Sequence, residues 1–124
     1  MAIKMLLVYQ PENSNLCGQA CVASIAGVTL EDAIKVFGGK RSGTSTRQVV
    51  DALRKLGVEC GDKLIRISRK REKTNYCIVK LRSTLHKHRH WTIYREGFYF
   101  DPGVGVLVEY PDHVVETSFL PIYI

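Results

Sequence analysis

The arrangement of apolar and polar positions changes character near the middle of the chain. Up to Gly57 apolar residues recur at helical intervals, and beyond it they alternate. Residues 16–26 are small and apolar and end at Gly27, which predicts a helix capped by Ser14 or Asn15. Thr29, with Asp32 three positions on, opens a second helix. It runs through Ala33, Ile34, Val36 and Phe37 and stops at Gly38-Gly39. Val49, Val50, Leu53 and Leu56 form the buried stripe of a third helix, with caps offered by residues 44–46 and a stop at Gly57.

Residues 64–67 and 76–81 then read as strands. Residues 90–95 and 98–101 flank Glu96-Gly97, a two-residue hairpin signal, and the apolar run at 104–110 predicts one more strand. Residues 1–9 read as a short strand or extended arm, and 10–16 as a turn. Helices in the first half and antiparallel strands in the second make an α+β fold.

Size narrows the picture further. The 124 residues suit one domain spanning 1–124. Hydrophobic residues at 45% and charged residues at 24% exclude extensive disorder and low complexity. The longest early apolar run, 5–9, falls far short of the ~20 residues of a membrane span. It is also too short for a signal-peptide core, so the expected location is cytoplasmic, with no membrane association. Four cysteines (Cys17, Cys21, Cys60 and Cys77) without a CxxC pair are expected to be thiols, not disulfides, a zinc ribbon or a thioredoxin-type site.

Chemistry enters with Cys17. It falls in the first turn of the first predicted helix, where unpaired amides and the helix dipole favour a thiolate, the nucleophilic form. Gly18 follows it and permits close approach. Cys21, one turn on among Ala20, Val22 and Ala23, reads as a packing residue. In the predicted hairpin Arg95 pairs with Phe98, which makes His90 and Asp101 diagonal neighbours on one face. Such positions lie roughly 7–8 Å apart at the backbone, within reach of long side chains. A carboxylate on one imidazole nitrogen leaves the other free to activate a thiol. Gln10 offers a side-chain amide to a developing oxyanion, beside the backbone amide of Cys17.

Taken together, the segment from Gln10 to Ala23 (QPENSNLCGQACVA), the later His90-Trp91-Thr92-Ile93-Tyr94 and Tyr99-Phe100-Asp101-Pro102-Gly103 resemble the papain-like cysteine peptidases. Within them the similarity is to the bacteriocin-leader-processing type, which cleaves after double glycine, and its stand-alone relatives. The resemblance implies a papain-like fold with Gln10 as oxyanion donor, Cys17 as nucleophile, His90 as general base and acid, and Asp101 as its orienter. It implies a protein or peptide substrate and no cofactor. Two spacings depart from the family. Gln10 precedes Cys17 by seven positions where six is usual, so a bulge must absorb one residue. The step from His90 to Asp101 is short, as a tight hairpin requires. The same machinery also serves amidase, deamidase and transglutaminase-like chemistry, and a scaffold of this kind can be kept purely for binding.

Two other readings compete. His86, His88 and His90 alternate, so on a strand they would share a face as zinc ligands do. Lys87 and Arg89 flank them and no carboxylate is near, so no metal is expected. Lys63, Arg66, Arg69, Lys70, Arg71 and Lys73 form a basic run within a chain of net charge +6. That run permits an acidic partner through residues 63–73. It does not by itself argue for nucleic acid, because such runs are ordinarily solvated loops.

Overall fold

A computed structural model describes residues 5–85 and 89–123. Three helices come first: α1 (Cys17–Ala26), α2 (Leu30–Val36) and α3 (Thr46–Lys55). Seven strands follow: β1 (Glu59–Cys60), β2 (Ile65–Arg66), β3 (Tyr76–Ser83), β4 (Arg89–Arg95), β5 (Phe98–Asp101), β6 (Gly105–Leu107) and β7 (Val114–Tyr123). All pairings are antiparallel, in the order β1-β7-β3-β4-β5-β6, with β2 also paired to β7. The α+β expectation is met.

The helix boundaries follow local chemistry. Thr29 caps α2 by accepting the Asp32 amide at 3.1 Å. Ser45 caps α3, and Gln48 closes a reciprocal capping box with it. At α1 the expectation fails: neither Ser14 nor Asn15 caps it. Leu16 is the N-cap residue and contributes no side-chain bond. Ser14 instead turns its hydroxyl onto the Pro11 carbonyl at 2.6 Å.

The sheet carries apolar residues on both faces. Towards the helices, Ile78, Trp91, Ile93, Phe100, Leu120 and Ile122 pack with Cys21, Val22, Val49, Val50 and Leu53. On the other face Cys77, Val79, Leu81 and Phe119 are sealed by Ile65, Ile67, Tyr94, Tyr110 and Val114. Lys73 is drawn into this outer face. Its ammonium lies 3.0 Å from Glu116 and 4.3 Å from the Tyr94 ring centroid, so it is withdrawn from the basic run that the sequence suggested. Arg66, Arg69, Lys70 and Arg71 remain exposed.

Three strand expectations need correction. The run at 104–110 yields only Gly105–Leu107 as strand, and 64–67 only Ile65–Arg66. The longest strand, β7, was not anticipated. Its alternation is interrupted by a bulge where the β3 register shifts between Lys80 and Leu81, and by Pro121. A proline donates no ladder bond and so argues against a central strand. Here the Pro121 carbonyl still accepts from the Gly61 amide at 2.9 Å. The arm at 5–9 has no regular structure but is tied down, since the Val8 amide donates to Ser24 Oγ at 2.8 Å.

Candidate active site

The hairpin expected at Glu96-Gly97 forms with both residues at positive φ (45° and 91°), the handedness a two-residue hairpin turn demands. Its register pairs Arg95 with Phe98, Tyr94 with Tyr99 and Ile93 with Phe100. Continued along the strands, that register brings His90 and Asp101 together: His90 Nε2 lies 2.8 Å from Asp101 Oδ1.

Asp101 is buried, with 3% of its surface exposed, yet its carboxylate is fully engaged. Oδ1 also accepts the Gly103 amide at 2.7 Å, and Oδ2 accepts the Tyr110 hydroxyl at 2.6 Å. Burial alone would raise its pKa; the hydrogen bond and charge of His90, with Tyr110 and the Gly103 amide, hold it below the usual carboxylate value.

Asp101 occupies one ring nitrogen of His90, which leaves the other for Cys17. The thiol of Cys17 hydrogen-bonds the imidazole and is also met by the backbone amides of Trp91 and Gly18. The uncapped start of α1 matters here, because no side chain competes with the sulfur for the first-turn amides. Burial pushes the Cys17 thiol up. The His90 hydrogen bond, the two amides and the His90 charge outweigh it, and the thiol titrates below its ordinary value. For His90 burial disfavours the charged ring, but Asp101 and Cys17 overcome it and raise the pKa to about 9. The two shifts run in opposite senses, as a thiolate–imidazolium pair requires.

Cys21 fits the packing role expected of it. It is fully buried, and burial, followed by the neighbouring Cys17 and Asp101 charges, pushes its thiol well up. Trp91 sits at the border between core and cleft. It is 4% exposed, belongs to the helix-side core, and also lines the cleft.

That cleft encloses about 230 Å³ between the start of α1 and β4. Gln10, Cys17, Thr44, Lys80, Arg89 and His90 are among its walls. Gln10 is held at both ends: its backbone amide donates to the Pro102 carbonyl at 2.9 Å and its side-chain Nε2 to the Ser14 carbonyl at 3.0 Å. Its Oε1 is buried without a partner and lies near Gly103. The long spacing from Gln10 to Cys17 is accommodated in the intervening turn, where Asn13 adopts a left-handed conformation (φ 57°).

The sequence reasoning missed four contributors. Tyr110 and Thr92 form a polar shelf under Asp101, with Tyr110 Oη 2.8 Å from Thr92 Oγ1. Thr44 presses on Gly18, where an added Cβ would stand 2.2 Å from its Oγ1. Gln19 donates to the carbonyls of Lys40 and Ser42 and fixes the loop that carries Thr44 to the cleft. Gln19 and Thr92 lie inside the segments that carry the family resemblance but had no role assigned there, and Tyr110 and Thr44 lie outside those segments. Only the apolar context of Gln19, inside a buried helix stretch, marked it as unusual. Of the three alternating histidines, His86 and His88 lie outside the described residues. Among the described residues no group of three metal-ligating side chains converges.

A solved structure matches the fold of this chain over nearly its whole length. It is a double-glycine motif protease from an AMS/PCAT transporter, determined in complex with the leader peptide. It is 25% identical, covers 96% of this chain and 91% of its own, and superposes with a TM-score of 0.67. The chain shares the α+β peptidase fold of that protease. No family model and no curated protein matches the sequence. The likeness to that double-glycine protease is thus carried by the fold. Among the described residues no helix of the chain is long and apolar enough to cross a membrane.

Proposed function

We propose that the protein is a cysteine peptidase in which Cys17 is the nucleophile, His90 the general base and acid, Asp101 the orienter of His90, and Gln10 an oxyanion donor. The observation that carries this reading is the position of His90, bonded at 2.8 Å to a buried carboxylate on one side and to the Cys17 thiol on the other. In the first step the thiolate attacks the scissile carbonyl carbon. The resulting oxyanion accepts hydrogen bonds from the Cys17 backbone amide and from the second N–H of Gln10 Nε2, the first being used by Ser14. His90, charged by its pairing with the thiolate, protonates the leaving amine as the C–N bond breaks. A water then gives its proton to His90 and attacks the thioester, which releases the acid and restores the thiol.

The substrate we infer is a peptide with small residues before the scissile bond. The structurally similar protease was captured with a leader peptide, and the narrow cleft beside Trp91 suits a slim backbone. Four free cysteines fit a reducing compartment, which supports a cytoplasmic location.

A peptide carrying Gly-Gly before the cleavage point tests the reading. Cys17→Ala should lower turnover at least ~1000-fold while thermal unfolding stays cooperative. Cys21→Ala should retain turnover, and Asp101→Asn should keep more residual rate than Cys17→Ala. Turnover that survives in Cys17→Ala, or is lost in a folded Cys21→Ala, would sink the assignment. Release of ammonia from glutamine side chains without chain cleavage would move it to amidase or deamidase chemistry.

A further inference from the structure

The cleft wall beside Cys17 carries two cations that the catalytic reading does not use. Lys80 and Arg89 both line it. The β3–β4 register sets Lys80 opposite Trp91 and Arg82 opposite Arg89, so all four side chains share the helix-facing side of the sheet. The Lys80 ammonium rests 4.9 Å above the Trp91 ring centroid. Neither Lys80 nor Arg89 forms an ion pair among the described residues. The eight other positions of the chain, 1–4, 86–88 and 124, include no acidic side chain in the sequence. The nearby carboxylate on β7, Glu116, pairs across from Leu81 and so faces the other side of the sheet. There Lys73 and the Tyr99 hydroxyl hold it at 3.0 and 2.7 Å.

Lys80 and Arg89 are thus diagonal neighbours across the β3–β4 pair. Burial first, and then the charge of Arg89, lowers the Lys80 pKa, against the pull of Cys17. A cleft that keeps two cations close together without a counter-ion is complementary to an incoming anion, which relieves the repulsion when it binds. We propose that Lys80 and Arg89 form a carboxylate-binding subsite beside Cys17, so that the preferred peptide carries an acidic side chain near the scissile bond. This rests on the peptidase reading and adds a specificity to it. A free peptide C-terminus offers the same carboxylate chemistry from a second source, and the test below separates the two.

The experiment measures second-order labelling of Cys17 by peptidyl electrophiles. Chloromethyl ketones extend the peptide on the acyl side and epoxysuccinyl peptides on the leaving-group side. Glutamate or glutamine is placed at each position in turn, and the epoxysuccinyl probes are made with a free or an amidated C-terminus. At one position the glutamate probe should react about tenfold faster than its glutamine twin, a difference worth about one charge-assisted contact. That ratio should fall to about one in Lys80→Met and in Arg89→Gln, and should shrink as salt is added. Using a ratio within each protein cancels any change in the reactivity of the thiol itself. Preference that follows the free C-terminus and not the side chain would replace the acidic-residue assignment with terminal recognition. Equal rates for every pair, with Cys17 still labelled selectively, would overturn the subsite and leave the peptidase reading standing. No selective labelling of Cys17 by any probe would overturn the peptidase reading itself, and the subsite with it.

Discussion

Tyr110 donates its hydroxyl to Asp101 Oδ2 at 2.6 Å, from a residue nine positions along the chain and beyond the hairpin that carries His90 and Asp101. The phenol has one proton, and the buried carboxylate is its stronger acceptor. Burial and that carboxylate both push the phenol's pKa up, so it remains protonated and donating at any working pH. Tyr110 is thus a positioning residue, acting on His90 through Asp101. Tyr110→Phe keeps the ring packing and removes one hydrogen bond to a charge, worth ~1.5–3 kcal/mol. We expect kcat for the Gly-Gly peptide to fall roughly tenfold with KM little changed. The acidic limb of the pH profile should move, because Asp101 loses a donor that holds its pKa down. A purely structural role would lower the unfolding midpoint and leave that limb in place.

How the sequence disclosed these features depended on how local each signal was. Cys17, His90 and Asp101 sit on elements defined by short-range chemistry: a helix start, and a hairpin whose register follows from Glu96-Gly97. The same arithmetic that predicts the turn predicts which side chains meet. The longest strand was illegible because its two irregularities, the bulge near Thr117 and Pro121, break the alternation by which strands are recognised. Tyr110 and Thr44 were illegible for a different reason. Each reaches the site from a loop whose path is set by tertiary packing, and neither residue type marks a function by itself. The α1 cap shows the reverse case. A good local cap was available in Ser14 or Asn15 and the fold does not use it, which leaves the first-turn amides to the Cys17 sulfur.

The opposing pKa shifts at Cys17 and His90 predict how the thiol responds to pH. For Cys17 the largest influence, burial, raises the pKa, and it is the His90 bond and charge with two amides that bring it below 9.0. Removing the imidazole should therefore reverse the sign of the shift. Iodoacetamide labelling of Cys17 followed against pH should show a midpoint below 9.0 in the native chain and above it in His90→Ala. An unchanged midpoint would mean that the imidazole does not support the thiolate. Peptide cleavage should also fall on the alkaline side near pH 9, where His90 loses the proton that the proposed mechanism passes to the leaving amine. Stability follows the same linkage. The folded-state pKa of His90 is raised, so its contribution is complete below the ordinary value of 6.5 and is lost as pH rises through about 9.

Gly18 illustrates a glycine kept for space. Alanine in a helix is favoured over glycine by about 1 kcal/mol. Against this, a Cβ at position 18 would stand 2.2 Å from Thr44 Oγ1 and 3.3 Å from Trp91 Cδ1. Overpacking of that kind costs ~1–3 kcal/mol, so Gly18→Ala should be net destabilising. Thr44 Oγ1 is buried and has no partner, so Thr44→Ala removes an unsatisfied hydroxyl and should be neutral or stabilising. The double variant should then recover at least the native urea midpoint. Additive losses in the double variant would show that the clash is not what selects glycine.

Gln19 ties the loop before α3 to α1, the helix that begins at Cys17. Its side chain is fully buried, and Nε2 donates to the Lys40 carbonyl at 3.1 Å and the Ser42 carbonyl at 2.9 Å. Those two bonds lock the segment that delivers Gly43 and Thr44 to the cleft wall. Replacing Gln19 by leucine keeps most of the volume but removes both part-buried bonds to the loop, at ~0.5–1.5 kcal/mol each. We therefore expect Gln19→Leu to lower stability by about 1–3 kcal/mol, with amide exchange accelerating first at residues 40–44 and not across α1 as a whole. Gln19→Glu is the sharper comparison. Glutamate is the same size, but when ionised it can only accept, so it would place a charge against two carbonyls and should be worse than leucine near neutral pH. At low pH the protonated acid regains one donor and should recover part of the loss. Urea midpoints of the two variants, compared at neutral and acidic pH, decide whether donation to the loop is the function of this side chain. If glutamate is tolerated as well as leucine at neutral pH, Gln19 is a space-filler and the loop is held by something else.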